Sequence, residues 1–205
     1  MTASYPVSLV LDGRRVLVVG GGKLATRRVT DLLEAGARVE VVSPTVSREI
    51  GAWADQEKLI VTLRAFEAGD VTGAWLCVAA TDDPTVNRAV VAAAEREHCF
   101  VSSAGDGSAS SARPMSVLRR GDLEVAVGTS GRAPAAAVWV RRQLATLVGP
   151  EYGVLIDLVA EARAEAQPGA NWQAALDSGI LGSIRAGRLD EARKGLRACL
   201  SSSSG

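Results

Sequence analysis

Residues 16–44, VLVVGGGKLATRRVTDLLEAGARVEVVSP, hold the stretch that decides the fold. In order they present an apolar strand at Val16 to Val19, a glycine turn at Gly20-Gly21-Gly22, a helix, and a second strand. Ala25 stands where G-x-G-x-x-G/A requires its third small residue, so the run matches a dinucleotide-binding βαβ unit. Gly20 permits the tight turn, Gly22 lets the backbone approach a pyrophosphate, and Ala25 allows the helix to pack closely on the strand. The pyrophosphate would lie on the unpaired N–H groups of the helix N-terminus.

The acid that often reads the ribose hydroxyls is not in its usual place. In VEVVSPT the second strand ends near Ser43, and the one acid, Glu40, lies mid-strand. Arg38 precedes the strand, which argues against a dedicated 2′-phosphate site, and Pro44 and Thr45 are left to line the adenosine side.

Strands and helices keep alternating beyond this unit. Leu59 to Thr62, Ala74 to Ala80 and Cys99 to Ser103 have strand character, and Pro84 to Glu97 has helical character, which predicts an α/β fold with an open, mainly parallel Rossmann-type sheet. Ligands in such sheets bind beyond the carboxyl ends of the strands. The loop AATDDPTVN, residues 79–87, follows one of those strands and brings Thr81 and Asp82 to the cofactor cleft. Asp82 and Asp83 can either cap the next helix or edge the cleft, with capping the expectation for at least one.

The pattern changes near Ala104. GDGSASSARP has the composition of a flexible connection, and MSVLRRGDLEVAVGTSG predicts two strands turning at Arg120-Gly121-Asp122, followed by a helix from Pro134 to Leu147. An isolated hairpin is marginal, so a second copy of the chain is expected to complete it, with Trp139 and Val140 at the contact. From Glu151 onward the chain is helical, with a break at Pro168-Gly169 and a disordered SSSSG tail. The expected division is a dinucleotide-binding domain over 1–113, a dimerisation region over 114–148 and a helical domain over 149–205.

Composition narrows the function classes. The chain is 47% apolar with a net charge of +0, so nothing global favours nucleic acid. It has no apolar run long enough to cross a membrane and no basic, apolar leader, which predicts a cytoplasmic protein. Cys77, Cys99 and Cys199 are too scattered for a disulfide framework or a metal knuckle, and Cys77 is expected in the core. The single histidine, His98, between a helix and a strand, is expected at the solvent edge. Between Gly107 and Ala145, six arginines (113, 119, 120, 132, 141, 142) face only Asp122 and Glu124. That imbalance suits either a polyanionic ligand or a solvated surface.

Three blocks together, residues 5–37, VAATDDPTVN and RPMSVLRRGDLEVAVGTSGRAPAAAVWVRRQL, closely resemble the precorrin-2 dehydrogenase and sirohydrochlorin ferrochelatase family, which includes the N-terminal module of siroheme synthase. The likeness runs from Tyr5 to about Leu147, and the set A-T-D-D-P-x-x-N plus the element Gly128 to Pro134 is what makes it specific. The resemblance implies NAD-dependent oxidation of precorrin-2 to sirohydrochlorin by a homodimer, followed in many members by insertion of ferrous iron held by the tetrapyrrole nitrogens rather than by the protein. It assigns NAD to Lys23, Leu24, Pro44 and Thr45 beside the glycine turn, and the carboxylate-rich macrocycle to Arg113, Arg119, Arg120 and Arg132. Thr129 and Ser130 fall where some relatives carry a modifiable serine. The family pattern N-V-V-D is replaced here by Ser102-Ser103-Ala104-Gly105-Asp106, so Gly105 falls on the aspartate position and Asp106, one residue later, becomes the expected general base. The competing readings are an NAD(H)-binding sensor, a tetrapyrrole-binding module without full catalysis, and a dehydrogenase for another substrate.

Overall fold

The computed structural model describes residues 4–105, 109–166 and 169–201, and the chain divides into two compact units, Met1–Pro114 and Met115–Gly205. The break at Pro168 and tail residues 202–205 lie outside the described residues, while Ser201 is the last residue of a helix rather than part of a tail.

In the first unit, strands β1 (Arg15–Val19), β2 (Arg38–Val42), β3 (Ile60–Thr62), β4 (Leu76–Ala79) and β5 (Phe100–Ser103) form a wholly parallel sheet in the order β3-β2-β1-β4-β5. Helices α1 (Lys23–Glu34), α2 (Arg48–Asp55) and α3 (Pro84–Arg96) cover it. Successive residues of β1 point to opposite faces, and both faces are covered, so the strand is apolar throughout. Val16 and Val18 pack with Val39, Val41, Val29 and Ile50 on one face. Leu17 and Val19 pack with Cys77, Val90, Val91 and Val101 on the other. Each such aliphatic side chain contributes roughly 1.5–3 kcal/mol on burial, which makes the two faces of β1 the centre of this unit's stability.

From β1 the chain winds outward through β2 to β3, then returns to the opposite flank of β1 as β4. The connections after β1 and β4 therefore leave in opposite directions, and a crevice opens between their carboxyl ends.

The strands match the sequence reading to within a residue or two, with Arg38 the first residue of β2 rather than a residue before it. Helix α2 did not stand out, because Gly51 weakens its pattern and only Ile50 is fully buried; Ser47 starts it, its hydroxyl accepting from Ile50 N–H at 3.2 Å. The connection after β5 is not loose throughout. Ser111 Oγ accepts from Val101 N–H at 2.9 Å, Ser110 Oγ from Ser103 N–H at 2.9 Å, and Ala112 N–H donates to Val101 C=O at 2.9 Å. These serines satisfy the free edge of β5, where unpaired backbone groups would otherwise remain.

The second unit begins with the antiparallel pair β6 (Ser116–Arg120) and β7 (Leu123–Val127), and Gly121 turns it with φ +55°. Helices α4 (Pro134–Leu147) and α5 (Glu151–Glu165) pack on this hairpin, so its inner face is covered by its own chain. Helices α6 (Trp172–Asp177), α7 (Ile180–Arg185) and α8 (Leu189–Ser201) close an apolar cluster with α5 around Leu158, Ile180, Ile184 and Leu196. Ion pairs Glu161–Arg193 and Glu165–Arg197, each at 3.0 Å, run along the rim of that cluster.

Gly153 of α5 meets the hairpin turn at close range. A Cβ there would stand 2.8 Å from the Arg120 carbonyl oxygen and 3.1 Å from Gly121 N. Replacing a helix-interior glycine gains at most about 1 kcal/mol in propensity, less for a β-branched residue, whereas overpacking against backbone costs roughly 1–3 kcal/mol. Gly153→Val is therefore expected to lower the denaturation midpoint of the second unit with an unchanged denaturant slope, and a wild-type midpoint would show that the α5–hairpin contact has slack.

Candidate functional site

The crevice exists because three consecutive glycines let the backbone turn where side chains have no room. Gly20 has φ +121°, and a Cβ on it would run into the Ala80 carbonyl group. At Gly21, to which the fingerprint assigns no task, a Cβ would collide with the Thr45 carbonyl and lie 2.7 Å from Val46 Cα. At Gly22 a Cβ would meet nothing within 4 Å, because this residue faces the open cavity. The first two glycines thus bring the three loops together, and the third leaves their meeting place empty.

Gly22 is also the N-cap of α1. No side chain caps the helix, and its first turn contains no acid, so its leading N–H groups are offered to the cavity together with the positive end of the helix dipole. Thr26 anchors this turn, with its hydroxyl 3.0 Å from Gly22 O and 2.8 Å from Ser47 Oγ. The cavity measures about 810 Å³, within the size range of small-molecule and cofactor sites. A glycine at the point of approach, unpaired helix donors and a volume of this size fit the pyrophosphate and adjoining riboses of a dinucleotide.

Side chains outside the cavity hold its walls. Asn87, 5% exposed, accepts at Oδ1 from Thr81 N–H (3.2 Å) and Thr81 Oγ1 (2.8 Å) and donates from Nδ2 to Thr81 O (2.9 Å). This explains the spacing of A-T-D-D-P-x-x-N, since the asparagine one turn into α3 holds the threonine that ends the crossover from β4. Asp83 caps α3 by accepting from Thr85 N–H at 2.7 Å, as expected for one of the two aspartates, while Asp82 lines the cavity. On the opposite wall, Arg64 grips Asp70 with two bonds of 2.9 and 2.6 Å, and Asp70 also accepts from Glu67 N–H at 2.9 Å. The guanidinium holds the Asp70 carboxyl below its ordinary range, and the clamp fixes the loop that turns Ala65 and Phe66 into the cavity.

The structure accounts for the missing ribose acid. Glu40 pairs with Arg15 at 2.6 Å, and Arg15 also donates to the carbonyls of Asp70 and Thr72, so Glu40 is committed to tying β1, β2 and the turn before β4 together. Ser43, at the end of β2, donates to Thr45 O at 2.7 Å and shapes the loop that carries Pro44 and Thr45.

Of the residues selected from sequence, Gly20, Gly22, Lys23 and Leu24 line the cavity from the α1 side. Pro44, Thr45 and Thr81 join Asp82 on the other walls. Ala25 lies fully buried beneath them, with a packing role only. Asp106 falls outside the described residues. Arg119 pairs with Glu124 at 2.7 Å across the hairpin. Arg120 donates to Val148 O at 2.9 Å and lies 3.5 Å from Ala145 O, a cation at the C-terminal end of α4. Arg113 and Arg132 are exposed. His98 is exposed with φ +54°, at the turn that ends α3. Cys77 and Cys99, distant in sequence, place their sulfurs 3.5 Å apart in the core. Hydrogen bonding to Cys99 and burial push the Cys77 thiol up, so it is not a nucleophile. No helix among the described residues is long and apolar enough to cross a membrane, and no cluster of metal-ligating side chains occurs among them.

Comparison with known proteins agrees with this geometry. Residues 7–113 match the family model described as "Putative NAD(P)-binding". The siroheme synthase of Xylella fastidiosa is 36% identical over 166 residues, covering 80% of this chain and 35% of the relative. The siroheme synthase of Nitrosococcus oceani is 31% identical over 203 residues, covering 95% of this chain and 43% of the relative. The chain thus spans about a third to two fifths of the length of these curated relatives. The solved structure of SirC, a precorrin-2 dehydrogenase, superposes with a TM-score of 0.77 at 28% identity, covering 95% of this chain and 99% of that one.

Asn87→Ala removes every bond that Asn87 makes to Thr81 and leaves the Thr81 backbone groups poorly paired. Buried groups left in that state cost about 1–3 kcal/mol. The variant is expected to melt several degrees lower and to bind ADP-ribose about tenfold more weakly by calorimetry; an unchanged affinity would separate the asparagine from the nucleotide wall.

Proposed function

We propose that this chain, which belongs to the family described as putative NAD(P)-binding that its residues 7–113 match, oxidises precorrin-2 to sirohydrochlorin with NAD⁺, a reading supported by its likeness to the precorrin-2 dehydrogenase SirC and to siroheme synthases. The observation that carries the reading is the open cavity at the switch between β1 and β4, with Gly22 and the uncapped start of α1 as its anion-binding edge. Bound there, NAD⁺ supplies the hydride acceptor. The α1 N–H groups would hold its pyrophosphate, the Ser43–Thr45 loop and Phe66 would line the adenosine side, and the crossover held by Asn87 would form the floor. NAD is favoured over NADP because Ser43, Pro44 and Thr45, at the end of β2 where a 2′-phosphate would lie, carry no positive charge, while the cavity cations Lys23 and Arg27 stand on α1.

Loss of a hydride from the macrocycle is accompanied by release of a proton. The carboxylate of Asp106, next in the chain after the turn at Gly105, is our candidate to accept it. The test is an absorbance assay of precorrin-2 with the full chain and either NAD⁺ or NADP⁺. Turnover with NAD⁺ is expected, and Asp106→Ala should reduce it by roughly 10²- to 10⁴-fold with NAD⁺ affinity unchanged. Nucleotide binding by the wild type without turnover would leave a sensing role instead, and full turnover by the variant would remove Asp106 as the base.

We also infer a homodimer built on the second unit. The unit's hairpin has only Leu118 buried, while Met115, Trp139 and Leu147 are 38%, 61% and 67% exposed, a large apolar surface for one unit to leave in water. The free thiols of Cys77 and Cys99 suit the reducing cytoplasm in which we place the protein. Sedimentation equilibrium at micromolar concentration is expected to give twice the chain mass, and Trp139→Glu to give a monomer; a monomeric wild type would overturn the assembly.

A further inference from the structure

We propose that Arg28 of α1, with the Ser102 hydroxyl, forms a carboxylate-binding subsite at the end of β5 that takes one acidic arm of the substrate. The inference rests on the polycarboxylate substrate proposed above and deepens it by locating a reader of its charge in the nucleotide-binding unit. Lys23 and Arg27 of α1 line the large cavity, whereas Arg28 turns into a separate cleft of about 30 Å³ closed by Leu24, the end of β4 and residues 102–104. That space exceeds what one ordered water needs and is a small fraction of the large cavity, which suits a group of a few atoms such as a carboxylate.

The donors around this cleft are unspent. Arg28 has its side chain 28% exposed, and its one acidic neighbour is Asp31 at 3.8 Å, itself 58% exposed. No hydrogen bond from its guanidinium occurs among the described residues, although the group offers five donors in a fork suited to a carboxylate. Burial outweighs Asp31 and holds the Arg28 pKa below its ordinary value. Ser102 is only 8% exposed, borders the same cleft, and its hydroxyl is likewise without a partner among the described residues. A half-buried cation and a hydroxyl that border one small cleft, neither hydrogen-bonded to another described residue, are left to water there, and an incoming carboxylate would accept from both. The cleft lies against the last residues of β4 and β5, where Val78 pairs with Ser102, at the carboxyl-end half of the sheet near which ligands of this fold bind. The hairpin arginines are occupied differently, Arg119 with Glu124 and Arg120 with the end of α4.

The experiment titrates uroporphyrin, a stable macrocycle with eight carboxylates, into the full chain without NAD⁺ and follows fluorescence quenching, with ADP-ribose calorimetry on each variant as a check of the nucleotide unit. Arg28→Gln is expected to weaken uroporphyrin binding at least tenfold with ADP-ribose affinity unchanged. Arg28→Lys, which keeps the charge and loses the fork, should fall between, and Ser102→Ala should lose a few-fold. Wild-type uroporphyrin affinity in Arg28→Gln overturns the subsite and leaves Arg28 as a packing residue. Should Arg28→Gln lose ADP-ribose binding through misfolding, undiminished uroporphyrin affinity in both Arg28→Lys and Ser102→Ala overturns it equally. A wild type that binds uroporphyrin but does not oxidise precorrin-2 refutes the dehydrogenase reading and leaves the subsite standing, whereas one that oxidises precorrin-2 but ignores uroporphyrin refutes the subsite alone.

Discussion

Backbone-to-backbone contact at Gly20 and Gly21 is the constraint on which the nucleotide-binding unit depends. The end of β1 passes so close to the Ala80 carbonyl on one side and the Thr45–Val46 backbone on the other that neither residue can carry a Cβ. With those two approaches in place, α1 starts directly above the sheet, its first N–H groups are free, and Gly22 opens onto the cavity. The apolar strands hold the sheet together, but the glycines decide that a cavity lies at its switch point.

Polar and charged side chains mostly shape that cavity from behind. Asn87 holds the β4 crossover, Arg64 and Asp70 hold the Phe66 loop, Thr26 and Ser47 join α1 to the start of α2, and Arg15 with Glu40 ties the strands at the level of the preceding turn. Each uses hydrogen bonds to backbone, to an opposite charge or, for Thr26 and Ser47, between hydroxyls, which fixes loop geometry without placing a side chain in the ligand's space. A dinucleotide entering the cavity would meet backbone groups whose positions are set in advance, which would leave little ordering to occur on binding.

The second unit follows different rules. Its hairpin is too short to stand alone, and α4 and α5 cover one face of it, with Gly153 set against the turn and Arg120 on the last carbonyls of α4. Arginines that look like an anion-binding group in sequence are thereby divided, some closing the hairpin and a helix end, others exposed. Charge counting along a chain cannot make that division, because an arginine reaches a partner about as far away as the neighbouring strand or the next helix terminus.

The sheet, its parallel order and the glycine turn were legible in the sequence, because strand periodicity, helix length and the need for small residues at a tight turn are local properties. The same locality made a helix cap readable in the pair Asp82-Asp83, though only the structure picks Asp83, and made Cys77 readable as core. Helix α2 was hidden by Gly51 and a single buried apolar residue, and the edge-capping serines 110 and 111 were hidden by a composition shared with loose linkers. The tasks of Gly21, Asn87 and Glu40 were settled by tertiary structure alone, since each depends on an atom of another element: the Thr45 carbonyl, the Thr81 backbone and the Arg15 guanidinium. Local sequence determined which elements form and where the chain must turn; which polar group meets which partner was decided only when distant segments came within hydrogen-bonding distance, because those interactions act over a few ångströms of space and not along the chain.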